Sequence, residues 1–529
     1  MMKTITNPIL KGFNPDPSIL RVGDDYYIAT STFQWFPGVQ IHHSRDLVNW
    51  ELIGHVLDRA SQLDMQGEAG NSGIWAPCLT YDDGLFYLIY TDMRFWNGGR
   101  FRDQHNYIVT SPSIEGPWSD PTYLNSSGFD PSLFHDNDGR KYLVNMLWDY
   151  RFGRNQFAGI VLQEYSANER KLIGPITNIF TGTHLGLVEG PHLYKRNGFY
   201  YLLVAEGGTR FEHAVTLARS KNLLGPYEVH PQNPILTSWD DATLELQRAG
   251  HASLVETQDG QWYMAHLCGR PIPNRGICIL GRETAIQKME WHSDGWPFIS
   301  GRGHSPCLQV EAPDSLEWHP FPTRNLIDHF DDVHLDVNFQ VLRTQKVFDH
   351  ISLKDRPGFL RLYGAESLNS LFIQSLVARR QQAFRYSART CIDFNPVSFQ
   401  HMAGLVVLYN ENNFCYFYLS FEEGKGCVLN IYTNRGGIPS SPLHDMVCIP
   451  LGIVHLGVDV DYHLLQFSFS LDGRVWSKVG PALDATGLGD ESCEPHGFTG
   501  AFVGICCQDM SGQGIYADFD YFSYEEKEK

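Results

Sequence analysis

The chain has few of the features that place a protein in a membrane, on nucleic acid or outside the cell. No uninterrupted apolar run approaches the roughly 20 residues needed to cross a bilayer. The opening residues, Met1-Met2-Lys3-Thr4-Ile5-Thr6-Asn7-Pro8, lack the apolar core of a secretory signal. The 11 cysteines are scattered and odd in number, with no CxxC pair and no zinc-type spacing with histidine, which argues against a disulfide framework or a structural metal site. Basic residues are in deficit, 41 Lys and Arg against 60 Asp and Glu, and a net charge of −19 disfavours a phosphate-backbone partner. Helical periodicity is scarce. Together these absences lead us to expect a soluble, cytoplasmic protein with neither nucleic acid nor membrane as partner.

With 43% apolar and only 19% charged residues, the chain can bury a core and is not composed like a disordered protein. Its 529 residues accommodate two all-β domains. Aromatics are abundant, 12 Trp, 25 Tyr and 32 Phe, and come with 49 Gly and 28 Pro, a mixture suited to short strands and tight turns. Flat aromatic faces are also what sugar rings stack against.

A short pattern recurs five times: Asp16-Pro17-Ser18-Ile19, Ala76-Pro77-Cys78-Leu79, Asp130-Pro131-Ser132-Leu133, Gly190-Pro191-His192-Leu193 and His251-Ala252-Ser253-Leu254, at spacings of 60, 54, 60 and 61 residues. Each copy runs on through a polar turn into an aromatic strand, as in Asp83-Gly84-Leu85-Phe86-Tyr87 and Asn197-Gly198-Phe199-Tyr200-Tyr201. Asp-Gly and Asn-Gly between apolar runs accept the positive φ of a type I′ hairpin, so each unit is expected to open with a hairpin. Four strands fit in each unit, and five such units predict a five-bladed β-propeller, with a stacked solenoid as the alternative. The Pro-punctuated stretch Glu317-Trp318-His319-Pro320-Phe321-Pro322-Thr323 reads as a linker. We therefore divide the chain into a propeller at 1–322 and a second unit at 323–529. In the second unit the repeat is lost but alternating strands persist, which suggests a β-sandwich. The adjacent Cys506 and Cys507 lie in an apolar run and read as core thiols.

In a propeller, equivalent positions surround the channel at one height. Asp16, Ala76, Asp130, Gly190 and His251 therefore form a ring, with Trp75 and Glu189 one residue earlier in their copies. An Asp before Pro is also a common turn cap, but repeats serving structure alone would carry one residue type at every copy. Asp130 should lie beside Glu189, where like charge raises a carboxyl pKa and makes Glu189 the candidate acid. Asp16 falls across the channel, where it could hold a water. Two carboxyls about 6.5–9.5 Å apart would make an inverting glycosidase.

The segments Asn14-Pro15-Asp16-Pro17-Ser18, Ser72-Gly73-Ile74-Trp75-Ala76-Pro77, Gly128-Phe129-Asp130-Pro131-Ser132, Glu189-Gly190-Pro191-His192, Gly250-His251-Ala252-Ser253 and Leu280-Gly281-Arg282-Glu283-Thr284 closely resemble glycoside hydrolase family 43, above all its two-domain β-xylosidases. The likeness continues at Arg356-Pro357-Gly358-Phe359 and Gly497-Phe498-Thr499-Gly500. It implies a propeller with a concanavalin-like (lectin-like) sandwich, and an exo-acting, inverting enzyme that removes xylose from short β-1,4-xylo-oligosaccharides, with arabinofuranosidase as a side or main activity. It further implies Asp16 as general base, Glu189 as general acid and Asp130 as the group that tunes and orients the acid. Phe33 and Trp75 would wall the sugar pocket, with His251 at its floor. Arg282 would bind hydroxyls and Thr209 would join the substrate-binding set. Arg59 and Phe498 would shape the aglycone side, Phe498 reaching over from the sandwich.

The residues alone leave alternatives open. Phe33 and Trp75 could be core aromatics, and Arg282 could merely pair with Glu283. His251 could be a core histidine or hold a divalent ion such as calcium through water. The resemblance implies no organic cofactor, and relatives imply a homotetramer or dimer. The stretch Ile272–Ile279 is shorter than in many relatives, which bears on aglycone preference or subunit contacts. A non-catalytic sugar-binding protein is the reading from a different class.

Overall fold

The computed structural model describes residues 3–527 apart from Asn274, Arg302 and Arg324; Asn274, in the short 272–279 loop, thus lies outside the described residues. Blade 1 is an antiparallel sheet of Ser18–Val22, Asp25–Thr30, Gly38–Ser44 and Glu51–Leu57. Blade 2 runs from Gly73–Asp82 to Thr122–Asn125, blade 3 from Ser132–His135 to Lys171–Phe180, and blade 5 from Gln247–Glu256 to Pro297–Ile299, each with four strands. Blade 4 begins at Glu189–Arg196, and two short strands, Glu228–Val229 and Leu236–Thr237, share its third strand Ala214–Ser220. The innermost strands of blades 5 and 1 are in contact, so the five sheets close into a ring rather than stacking as a solenoid. Thr4–Thr6 pairs with Gln309–Glu311 and ties the two ends of that ring together.

Every copy of the repeat opens with a hairpin, as expected, but the turns differ. In Asp83-Gly84 and Asn197-Gly198 both residues have positive φ, the type I′ signature, whereas in copies three and five only Gly139 and Gly260 do. In these two copies the loop is longer: Gly139 N–H bonds the Asp136 carbonyl and Gly260 N–H the Thr257 carbonyl, a type I turn in which the left-handed residue is the glycine that follows Asp138 or Asp259.

The second unit is a sandwich of an eight-stranded and a seven-stranded sheet. Along His401–Asn410, Ala403, Leu405, Val407 and Tyr409 enter the sandwich core, while Val406 and Leu408 face a cluster shared with the propeller. Phe502–Asp509 alternates the same way. Adjacent Cys507 and Cys506 therefore lie in different cores, both buried and unpaired. This sheet is apolar on both faces because both are covered. Among the described residues no helix is long and apolar enough to cross a membrane.

The two units are bound to each other in several ways. Trp35 stacks on Phe502 with centroids 3.7 Å apart, and Val341–Leu342 pairs with Trp35–Phe36 as a strand. Arg343 is buried. It donates to the Glu68 carbonyl at 2.6 Å, to Gln374 at 2.9 Å and to Glu411 at 3.1 Å. Gly281, at φ +72, lets the sandwich approach closely, since a Cβ there would sit 1.8 Å from the Thr499 carbonyl oxygen. Arg248 of blade 5 donates to Asp490 at 3.0 Å, and Asp490 also accepts from the Tyr409 hydroxyl at 2.7 Å.

Both partners of the Arg248–Asp490 pair are fully buried, and Arg248 also pairs with Glu491, so removing the arginine strands the Asp490 carboxylate in the interior. Arg248→Met is expected to destabilise the protein by about 3–5 kcal/mol, read as an earlier denaturation midpoint, with Asp490→Asn in the same chain recovering part of the loss.

Candidate active site

The five ring positions share one backbone state. Asp16, Ala76, Asp130, Gly190 and His251 all have left-handed φ, at 56°, 38°, 53°, 57° and 41°. Four are not glycine, and such strain in non-glycine residues is held only where the surroundings enforce it. In blades 2, 4 and 5 the first pair of strands shifts register at this point, a bulge that turns side chains away from the regular pleat. The outcome is convergence on the channel mouth. Asp16, Trp75, Asp130, Glu189 and His251 line one cavity of about 390 Å³, together with Phe33, Thr209, Arg282 and Phe498. That volume lies at the small end of the about 300–1,000 Å³ usual for ligand sites.

Asp16 is held from three sides. Ser31 donates to Oδ2 at 2.7 Å, Arg282 donates to Oδ1 at 2.9 Å, and His251 Nδ1 lies 3.6 Å from the same oxygen. Burial alone would raise its pKa, but the Arg282 cation, His251 and the Ser31 hydrogen bond together hold it below the ordinary carboxylate value. Asp16 is therefore ionised. Glu189 behaves in the opposite way: burial first, then the negative charge of Asp16, push it up to about 8 against the pull of Arg282 and Arg102. Asp130 is also raised, by burial and then by Glu189, although it accepts the Gly190 backbone N–H at 3.0 Å. Beside its neighbour Asp130, Glu189 thus also feels the negative charge of Asp16 across the channel. Asp130 is itself driven toward its neutral form, and because the coupling of two neighbouring carboxyls is mutual, ionisation of either opposes that of the other.

The walls are fixed with similar care. Phe33 exchanges backbone hydrogen bonds with Ile74 at 3.0 and 3.1 Å, and its ring lies 5.5 Å from that of Trp75. Asn71 holds wall and roof together, accepting the Trp75 indole N–H on its carbonyl at 2.9 Å and the Phe498 backbone N–H on its side chain at 3.0 Å. Arg282 Nε donates to the Phe498 carbonyl at 2.9 Å. Arg282 is therefore not the partner of Glu283, which is taken by Arg270 at 2.6 and 2.8 Å.

Arg59 is not brought to this cavity. Its guanidinium is held by the Trp118 carbonyl at 2.8 Å and by Asp120 at 2.9 Å, at the outer side of blade 2. Conversely, the cavity is lined by residues that the repeat did not mark: Trp96, Arg102, Phe129 and Phe157 from the propeller, and Pro495 and His496 beside Phe498. Phe129 was readable in hindsight, since it precedes Asp130 as Trp75 precedes Ala76. A calcium ion takes about six to eight oxygen ligands. Beside His251 the carboxylate in contact is Asp16, whose Oδ1 already accepts from Arg282, and among the described residues no trio of His, Cys, Asp or Glu is placed to hold an ion. The donor set does not fit a directly bound calcium.

An aromatic-walled pocket at one end of a propeller, with one carboxyl whose pKa is lowered and one whose pKa is raised, has the architecture of a carbohydrate hydrolase. The comparisons agree. The family pattern of glycosyl hydrolases family 43 matches residues 5–297, and that of the beta-xylosidase C-terminal concanavalin A-like domain matches residues 327–525. The chain belongs to glycosyl hydrolase family 43. It is 52% identical to a beta-xylosidase of Bacillus subtilis (strain 168), over 99% of this chain and 100% of that one. It is also 52% identical to xylosidase/arabinosidase 43B of Humicola insolens, over 99% and 98%. The crystal structure of xylan beta-1,4-xylosidase from Bacillus halodurans C-125 superposes with a TM-score of 0.97 at 55% identity, covering 99% of this chain and 100% of that one.

Because its pKa is raised, Glu189 holds its proton through neutrality and loses it as pH rises through about 8. Infrared difference titration is expected to show a protonated-carboxyl band that disappears near that pH in the native enzyme and is missing in Glu189→Gln.

Proposed function

We propose that this enzyme is an exo-acting, inverting β-xylosidase that releases D-xylose from the non-reducing ends of β-1,4-xylo-oligosaccharides. The observation that carries the reading is the convergence of Asp16 and Glu189 on one small aromatic-walled cavity, where the Arg282 contact lowers the pKa of Asp16 and burial raises that of Glu189. Ionised Asp16 accepts a proton from a water that adds to the sugar's anomeric carbon. Glu189 protonates the glycosidic oxygen as the bond to that carbon breaks. Asp130, joined to the Glu189 segment through the Gly190 N–H, orients the acid and is coupled to its titration. Phe33 and Trp75 bound the sugar laterally. Phe498 roofs the pocket, so a chain end enters and a chain interior does not. The names of relatives support β-xyloside hydrolysis; that of the Bacillus halodurans enzyme, xylan beta-1,4-xylosidase, supports the 1,4 linkage, whereas a Vibrio sp. relative at 48% identity is a xylan 1,3-beta-xylosidase. The xylosidase/arabinosidase name of the Humicola relative supports a second, α-L-arabinofuranosidase activity in the same pocket.

Proton NMR of the hydrolysis of an aryl β-xyloside, whose only sugar product is the glycone, is expected to show α-xylose first when recorded before mutarotation; early β-xylose would overturn inversion. Asp16→Ala should remove nearly all turnover without loss of fold. Glu189→Ala should lower xylobiose turnover by about 10²–10⁴-fold and that of an aryl xyloside with a good leaving group much less. Equal losses on both substrates would remove Glu189 from the role of acid. The ratio of rates on aryl β-xyloside and aryl α-L-arabinofuranoside separates the two activities.

A further inference from the structure

Arg102 lies just ahead of the strand Asp103–Ser111 in blade 2, outside the repeat, yet its side chain reaches the cavity wall. Its guanidinium carbon sits 3.9 Å from the centre of the Trp148 ring, with Trp96 at 5.6 Å and Phe129 at 5.8 Å. No carboxylate pairs with it among the described residues, and its Nε is buried without a hydrogen-bond partner. The side chain is half-buried, and of its nitrogens it is Nε that is shut off from solvent. A buried cation ordinarily carries an ion pair, whereas aromatic faces offset only part of its desolvation. The cost falls on a residue that shares the cavity with the proposed acid, and Glu189 is the anionic group whose field reaches it.

We propose that Arg102 is a positioning residue acting through Glu189: its unpaired cation favours release of the Glu189 proton to the leaving sugar oxygen and holds the carboxylate that remains. The inference rests on Glu189 being the general acid. In the step, the O–H bond of Glu189 breaks as its proton joins the glycosidic oxygen, which takes the electron pair of the breaking bond to the anomeric carbon. Water supplies the new oxygen there and yields a proton to Asp16. The negative charge that appears on Glu189 therefore forms opposite a cation that had no partner before the reaction. The aromatic rings keep Arg102 from collapsing into a permanent ion pair.

Other groups face Glu189 from every side. Asp16 in blade 1 and Asp130 in blade 3 oppose its ionisation, and Arg282 of blade 5 favours it beside His251. Arg210 and Glu212, in the loop of blade 4, and His496 of the sandwich line the same cavity. Arg282 is committed to Asp16 and to the Phe498 carbonyl. Of the cavity cations that act on Glu189, Arg102 is thus the one not committed to another acceptor. Its burial and isolation lower its own pKa to about 10, so it stays charged wherever Glu189 is protonated.

The test is the pH dependence of kcat/KM on xylobiose and on 4-nitrophenyl β-xyloside for Arg102→Met, Arg102→Lys and Glu189→Ala. Methionine keeps an apolar stem against Trp148 without charge; lysine keeps charge without the flat fork. We expect Arg102→Met to move the basic limb upward by about one pH unit and to lower turnover of xylobiose more than that of the aryl xyloside. Arg102→Lys should restore the native limb. An unmoved limb in Arg102→Met, with both substrates affected alike, overturns the proposal and leaves Arg102 as a wall residue. If the native basic limb persists in Glu189→Ala, Glu189 is not the acid and the proposal falls with that reading.

Discussion

The site depends first on the bond between Arg282 and Asp16. Both side chains are almost fully buried, 4% and 5% exposed, so each has lost its hydration and the pair is sustained by its 2.9 Å contact and by further partners. Asp16 belongs to blade 1 and Arg282 to blade 5, so the same contact crosses the seam where the ring closes. It keeps Asp16 ionised, and that negative charge in turn helps to keep Glu189 protonated. Through its Nε the same guanidinium fastens the roof residue Phe498. Ring closure, the division of labour between the two carboxyls and the enclosure of the pocket thus share one cation.

The backbone supplies the second constraint. Left-handed φ at all five ring positions means that the propeller presents side chains to its mouth by a device built into each blade, whatever residue stands there. Where chemistry is absent the position is Ala76 or Gly190; where it is present the position is Asp or His. The strain is borne by strands buried on both faces and by a cluster that continues into the sandwich through Trp35, Phe502 and Val406.

Much of this was written in the sequence because the period was. A spacing near sixty residues with hairpin signals at each copy gave the five blades, and the ring argument brought Asp16, Asp130, Glu189, Trp75 and His251 to one mouth. What escaped was whatever the period does not govern. Arg102 occupies an irregular segment and is placed by Trp148 of the next blade, a contact with no sequence signature. Pro495 and His496 arrive only through docking of the second unit. Arg59, carried over by resemblance, is held at the outside by Asp120. The roles of Asp130 and Glu189 in each other's titration could not be assigned from neighbourhood alone, since burial is the largest influence on both.

The roof is supplied by the most distant part of the chain. Asp16, Asp130, Glu189 and Arg282 all precede the propeller's closing strand Gln309–Glu311, while Phe498 follows it by nearly two hundred residues. A nascent chain emerging from the ribosome amino end first can thus assemble the acids well before the pocket that confines them. Until the sandwich is synthesised and docked, Arg282 has no Phe498 carbonyl to bind and Arg248 no Asp490. Completion of the pocket is therefore tied to completion of the polypeptide.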